Sequence, residues 1–319
     1  MSYPKNVGFI GLGVMGYPMA QNLAAKLPQS TRIYVFDVAT QVMENLVKEY
    51  PGKITACQSS KEITSKCEVI LTMVPEGAHV KSVFLAPDTG VLATDISGKI
   101  FIEMSTIDTA TSEDVRGKVA AASPSALFYD APVSGGSLGA QNATLTFMLG
   151  CSEEDPNWPL LKSLLGLVGK SIFPCGGPSL GLIAKLSNNY CSGLIAIATA
   201  EAMNIGMKSG MNPALLASIF ATSTAQSTIS DKWNPVPGVC PTAPASNGYR
   251  GGFKVQLMRK DFALAMDAAK RVNARLALGE AGLQTYTDAS NDPACRDLDS
   301  RVVFRYLGGS EEWKKEGSS

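Results

Sequence analysis

With 319 residues, 45% of them hydrophobic, the chain is about twice the usual domain length of roughly 150 residues and has ample apolar material for its cores. Its 28 Lys and Arg balance 28 Asp and Glu, which removes the long-range attraction that nucleic acid or an anionic membrane would exploit, so neither is an expected partner. Seven scattered cysteines without a Cys-x-x-Cys pair suggest neither a disulfide framework nor a zinc site, and the lone histidine, His79, excludes a multi-histidine metal centre.

Val7 to Ile10 reads as a short buried strand, followed by the run Gly11-Leu12-Gly13-Val14-Met15-Gly16 and helical periodicity from Met19 to Ala24. Arg32 to Phe36 makes a second strand closed by Asp37, and Val42 to Tyr50 a second helix. Further buried strands are predicted at 69–74, 100–104 and 127–130, with helical segments between them. That alternation implies a parallel sheet covered on both faces. Leu145 to Leu149 and Ser171 to Phe173 are expected to add edge strands.

The pattern changes at Cys175-Gly176-Gly177-Pro178. Leu180 to Ser209 then runs without proline to Gly210, and at about 1.5 Å per residue it would make a helix of about 45 Å. Segments 213–222, 257–272, 277–289 and 297–307 are also helical in period, and no strand signal follows residue 175. The expected architecture is therefore α/β: a Rossmann-type doubly wound, mostly parallel sheet over residues 1–178, then an all-α domain over 179–319, with a long interdomain helix. The Pro- and Gly-rich stretch 234–252 is expected to be a packed functional loop. No apolar run reaches the roughly 20 residues a membrane crossing needs. Before the first apolar run stand only Met1 to Asn6, with no signal-peptide or transit-peptide character. The chain therefore reads as either unaddressed or already processed.

Three patterns carry chemistry. The G-x-G-x-x-G run lies between a strand and a helix, and an acid, Asp37, ends the next strand. In that context Gly11 permits the tight turn, Gly13 admits a pyrophosphate, and Gly16 lets the helix pack close. Asp37 would accept ribose hydroxyls and repel a 2′-phosphate, and Val38 and Ala39 offer no Arg, so NAD is the expected cofactor. Next, Asp130-Ala131-Pro132-Val133-Ser134-Gly135-Gly136 closes a strand. Its successive amides and the Ser134 hydroxyl would suit a carboxylate, or the segment is simply a glycine turn. Finally, Lys185, Asn188, Asn189 and Ser192 form one polar stripe on the long helix. The stripe is either a solvated face or a set of side chains facing a cavity. With histidine nearly absent, Lys185 is the nominee for the base that takes a hydroxyl proton during hydride transfer.

Together these residues resemble the β-hydroxyacid dehydrogenase family over nearly the whole chain, through Phe9 to Gly16, Asp130 to Gly136, Gly181 to Asn189 and Thr199 to Asn204. Asn234-Pro235-Val236-Pro237-Gly238-Val239 is similar to its 3-hydroxyisobutyrate branch. The resemblance implies Lys185 as the catalytic lysine, Asn189 positioning the substrate, and Ser134, Gly135 and Gly136 holding the substrate carboxylate. It implies cofactor contacts at Gly11, Leu12, Gly13, Val14, Met15, Gly16, Asp37, Val74, Pro75, Thr106 and Lys260. His79 falls near the cofactor by resemblance and on a helix surface by its own pattern, and Arg259-Lys260-Asp261 would by itself read as a solvated helix face. Glu103-Met104 stands where the nearest relatives tend to have Asp-Ser, and Arg259 replaces a small residue. The expected reaction is NAD-dependent oxidation of (S)-3-hydroxyisobutyrate in valine breakdown, by a homodimer or homotetramer without a metal. Its rivals are reduction of tartronate semialdehyde and a silent nucleotide-binding scaffold.

Overall fold

The computed structural model describes residues 3–313; residues 1–2 and 314–319, the outer ends of the two expected domains, lie outside the described residues. The chain divides into two compact units, Met1–Lys185 and Leu186–Ser319.

The first unit is laid down as β1 (Asn6–Ile10), α1 (Gly16–Lys26), β2 (Arg32–Phe36), α2 (Thr40–Glu49), β3 (Ile54–Ala56), α3 (Ser60–Lys66), β4 (Val69–Thr72), α4 (Gly77–Leu85), β5 (Ile100–Glu103), α5 (Thr109–Ala122) and β6 (Leu127–Asp130). These strands form one six-stranded sheet in the order β3-β2-β1-β4-β5-β6, with every pairing parallel. The period of two sorts their side chains between two cores. Phe9, Leu71, Ile102 and Tyr129, in register across β1, β4, β5 and β6, face one core with Met19 and Leu23 of α1 and Leu46 of α2. Ile70, Phe101 and Phe128 face the other, with Ile63 of α3, Phe84 of α4 and Val115 of α5. β3, only three residues long, gives too short a pattern to be predicted from sequence.

The two expected edge strands do not join this sheet. β7 (Val133–Ser134), α6 (Gly136–Gln141), β8 (Leu145–Leu149), α7 (Trp158–Leu165) and β9 (Gly169–Pro174) follow, and β7-β8-β9 form a separate three-stranded sheet. β4 and β5 are buried on both faces, whereas β8 alternates buried and half-buried. Such a strand has one covered face, and here it pairs antiparallel with β7.

The long helix α8 spans Leu180–Lys208, and the division between the units falls inside it. The second unit adds α9 (Pro213–Thr222), α10 (Thr228–Lys232), α11 (Val255–Arg271), α12 (Gly279–Asn291) and α13 (Val303–Tyr306). Its core gathers Met203, Phe262, Tyr286 and Phe304, and the buried Tyr286 hydroxyl donates to the Gly193 carbonyl at 2.8 Å. The stretch 234–252 is packed, with Val236 and Tyr249 fully buried and the Tyr249 hydroxyl donating to the Pro235 carbonyl.

The helix expected over 297–307 shrinks to a 3-10 turn, Ser300–Val302, and the short α13. Asp297 takes a left-handed φ of 65°, and Asp299 forms an antiparallel bridge with Lys254, a strand-like pairing beyond residue 175. The Asp299 carboxylate accepts the Phe253 amide at 2.8 Å, so this acid anchors the loop into α11 and cannot continue a helix.

Phe84 packs edge-on against Phe101 and Phe128, with centroids 5.5 and 5.4 Å away, and so pins α4 to the sheet. Phe84→Ala is expected to cost about 3–5 kcal/mol, read as a lowered urea midpoint. The control Val38→Ala, at a position 92% exposed, should move stability by less than about 0.5 kcal/mol.

Candidate active site

The carboxyl ends of the parallel strands converge at the point where the strand order reverses, between β1 and β4, the usual ligand crevice of such sheets. Gly11 ends β1 with φ 91°, and a Cβ there would lie 2.1 Å from the Met73 carbonyl. Gly16 opens α1, where a Cβ would lie 1.9 Å from the Gly11 carbonyl. Neither position accepts a side chain. Gly13, by contrast, is exposed and faces open space, and Val14 is 78% exposed. Met15, the N-cap of α1, makes no side-chain capping bond; the Tyr17 amide donates to the Gly13 carbonyl at 3.0 Å and Pro18 has no N–H, so the donors that can face an anion are the loop amides up to Gly16. Asp37 braces the same loop: its carboxylate accepts the Leu12 amide at 2.6 Å and the Ala39 amide at 2.8 Å.

The neighbouring strand ends are tied to this loop. Val74 lies within reach of a Cβ on Gly11, and its amide donates to Ser105 Oγ at 2.8 Å. The Ser105 amide in turn donates to Glu103 Oε1 at 2.9 Å. Glu103 is fully buried and so braces the turn leading to Thr106, which is half-buried. This acid had no assigned role in the sequence reading, although an acid closing the buried run Ile100-Phe101-Ile102 was its signal. Pro75 is exposed, and His79 is exposed on the first turn of α4. The helix-surface reading of His79 therefore describes its position.

Beyond β6, Ser134 is half-buried while Gly135 and Gly136 are exposed with φ of 132° and 61°. The segment is a turn with accessible amides, as a carboxylate site requires. Asp130 behaves differently from the rest of its motif: it is 2% exposed, and its carboxylate accepts the Ser179 and Leu182 amides at 2.8 and 2.9 Å.

On α8, Lys185 is 7% and Asn189 6% exposed, one helical turn apart, while Asn188 is exposed. The polar stripe is thus not a solvated face at its two key positions. Within the second unit, Asn189 Nδ2 donates to Asp261 Oδ2 at 2.6 Å, and its Oδ1 accepts from Asn188 Nδ2 at 3.1 Å. Asp261 also pairs with Lys260 Nζ at 3.2 Å. The solvated-face reading of Arg259-Lys260-Asp261 fails at Asp261, which is 1% exposed. Its position was legible, because Met258, Phe262 and Ala265 recur at helical spacing on the buried side of α11 and Asp261 falls beside them. One buried acid therefore holds both candidate side chains.

A family model of the NAD binding domain of 6-phosphogluconate dehydrogenase matches residues 6–177, and one described as NAD-binding of NADP-dependent 3-hydroxyisobutyrate dehydrogenase matches residues 180–307. The probable mitochondrial 3-hydroxyisobutyrate dehydrogenase of Dictyostelium discoideum is 44% identical over 90% of this chain and 86% of its own. The chain belongs to the 3-hydroxyisobutyrate dehydrogenase family. The Pseudomonas aeruginosa 3-hydroxyisobutyrate dehydrogenase is 38% identical, covering 96% of this chain and 99% of its own. A solved structure of the Mycobacterium tuberculosis 3-hydroxyisobutyrate dehydrogenase with L-serine superposes with a TM-score of 0.85 at 32% identity, over 96% of this chain and 99% of that one. The protein is thus a nicotinamide-dependent β-hydroxyacid dehydrogenase.

The Asp37 carboxylate accepts two amide donors, and hydrogen bonds to a charged group are worth about 1.5–3 kcal/mol each. Asp37→Ala should therefore weaken NADH binding by at least about tenfold, measured by fluorescence titration.

Proposed function

We propose that the dehydrogenase oxidises (S)-3-hydroxyisobutyrate to methylmalonate semialdehyde with NAD, a step of valine breakdown, and that Lys185 is its general base. The burial of Lys185 and Asn189 one turn apart on α8 carries this reading, because long polar side chains are kept from water only where something else receives them. The sequence of the Dictyostelium relative supports the substrate. The L-serine in the solved relative supports the substrate class, since that molecule carries a carboxylate and a β-hydroxyl.

The residues fit the cofactor. Open space at Gly13, the positive φ that Gly11 adopts freely and the loop amides before α1 suit a pyrophosphate. The brace from Leu12 and Ala39 holds Asp37 for ribose hydroxyls and against a 2′-phosphate, and Val38 and Ala39 supply no cation. Gly11 to Gly16, Asp37, Val74, Pro75, His79, Thr106 and Lys260 form the proposed binding set. When bound, the nicotinamide accepts the hydride that leaves the hydroxyl-bearing carbon. Lys185, as the neutral amine, takes the hydroxyl proton. The Ser134 hydroxyl and the Gly135 and Gly136 amides hold the substrate carboxylate, and Asn189 orients the hydroxyl. With this reading goes the mitochondrial matrix as the compartment of a processed eukaryotic chain, and otherwise the cytoplasm. The same reading makes the enzyme a homodimer or homotetramer, for which exposed Ile205, Leu215 and Ile219 offer apolar surface.

Steady-state rates on a panel of C3 and C4 hydroxyacids, each with NAD and NADP, test the assignment. The highest kcat/KM is expected with 3-hydroxyisobutyrate and NAD; a preference for C3 substrates or NADP would replace it. Lys185→Ala should lower kcat by about 10²–10⁴-fold and leave NADH binding nearly intact. A base must be neutral to accept a proton, so oxidation rises with pH in the native enzyme, and that limb should vanish in the variant.

A further inference from the structure

We propose that Asp130 is a positioning residue for the base: its buried carboxylate locks the first turn of α8 and so sets where Lys185 points. This inference rests on Lys185 being the base.

Asp130 is the first residue of the motif whose later members, Ser134 to Gly136, bind carboxylate in the proposed function, and no part of that function uses the acid itself. The first turn of a helix exposes amide donors that a side chain at the N-cap normally satisfies. Here Ser179 precedes Leu180, the first residue of α8, yet among the described residues its buried Oγ has no hydrogen-bond partner. Its φ of 64° is left-handed. Asp130 takes over the cap from a strand end far away in sequence, with Oδ1 accepting the Ser179 amide at 2.8 Å and Oδ2 the Leu182 amide at 2.9 Å.

The carboxylate has no room to relax. A Cβ on Gly150 would lie 2.0 Å from Asp130 Oδ1, and one on Gly181 would lie 2.8 Å from Oδ2 and 2.1 Å from the Met148 carbonyl. The end of β6, the end of β8 and the start of α8 therefore meet on one side chain. Burial pushes the Asp130 carboxyl above the usual carboxylate range, while the Leu182 and Ser179 amides pull it down. A carboxylate desolvated to this degree is compensated only by the amides it caps, and so it ties them firmly.

Lys185 lies three residues beyond Leu182, about 4.5 Å along the helix axis. A helix is stiff over that distance, so a shift or rotation of its first turn carries the lysine with it. Asp130 is also joined through Ala131 to Val133 to the carboxylate-binding turn. It thereby fixes the base and the anchor of the substrate in one frame within the first unit.

The test compares Asp130→Asn, Gly181→Ala and Lys185→Ala with the native enzyme, with kcat expressed per NADH-titratable site. Asparagine offers one acceptor where two amides need one each. A Gly181 side chain displaces the first turn from outside. Misplacement of a reacting group by about 1 Å costs up to about 100-fold. Asp130→Asn and Gly181→Ala should therefore lose about 10- to 100-fold in per-site kcat. NADH affinity should stay within about twofold, and the solvent deuterium isotope effect on kcat should rise because proton transfer has slowed. A merely structural role would lower Tm and the number of binding sites while leaving per-site kcat and the isotope effect unchanged, and that outcome overturns the proposal. If neither Asp130→Asn nor Gly181→Ala folds, Asp130→Ser, whose smaller side chain adds no bulk and leaves the Ser179 and Leu182 amides without the carboxylate, is read by the same per-site kcat and isotope effect. The base assignment fails separately, by an unimpaired Lys185→Ala. An impaired Lys185→Ala beside native per-site kinetics in the other two variants overturns only the positioning role.

Discussion

Backbone amides just past the carboxyl ends of parallel strands have no ladder partner, and in a buried crevice each one left unpaired is costly. This chain meets that constraint with acidic side chains. Asp37 after β2 accepts the amides of Leu12 and Ala39, Glu103 at the end of β5 accepts that of Ser105, and Asp130 at the end of β6 accepts those of Ser179 and Leu182. Each acid fixes a loop that carries a proposed binding or catalytic group. The crevice is shaped by charges pointing inward at the backbone as much as by the groups that face a ligand.

The second unit repeats the arrangement with different elements. Asp261 holds Asn189 and Lys260, and Asp299 holds the Phe253 amide at the entrance to α11. Burial pushes the Asp299 carboxyl upward, and Arg301 beside it opposes the shift. Glycines flank these contacts as they flank Asp130: a Cβ on Gly252 would lie 2.1 Å from Asp299 Oδ2. Buried acids that accept amides, in pockets too tight for a neighbouring side chain, are a common building rule of both units.

Much of this was legible in the sequence, and what was not has physical causes. The parallel sheet announced itself because runs such as Val69 to Thr72 are buried on both faces and contain little but apolar residues. The glycine loop was legible because strand, turn, helix and acid occur in the required order. The separate β7-β8-β9 sheet was not, since a short alternating strand carries no mark of which sheet it joins. The helical period of 297–307 misled because Leu298, Val302 and Val303 are apolar for the sake of the core, while Asp299 is committed to a bridge and to Phe253. Lys185 and Asn189 were visible as a stripe, but the contacts of the nearby acids were not, because their partners, the Leu182 backbone amide for Asp130 and the Asn189 side chain for Asp261, come from distant segments.

The double attachment of Asp37 links two properties that are usually treated as separate. A replacement at this position meant to welcome an extra phosphate on the ribose also releases Leu12 from its brace, and with it the loop proposed to cradle the diphosphate. Redesign of coenzyme preference in this scaffold therefore has to begin beside the acid, at the outward-facing Val38, 92% exposed, where a new cation can be added without dismantling the turn.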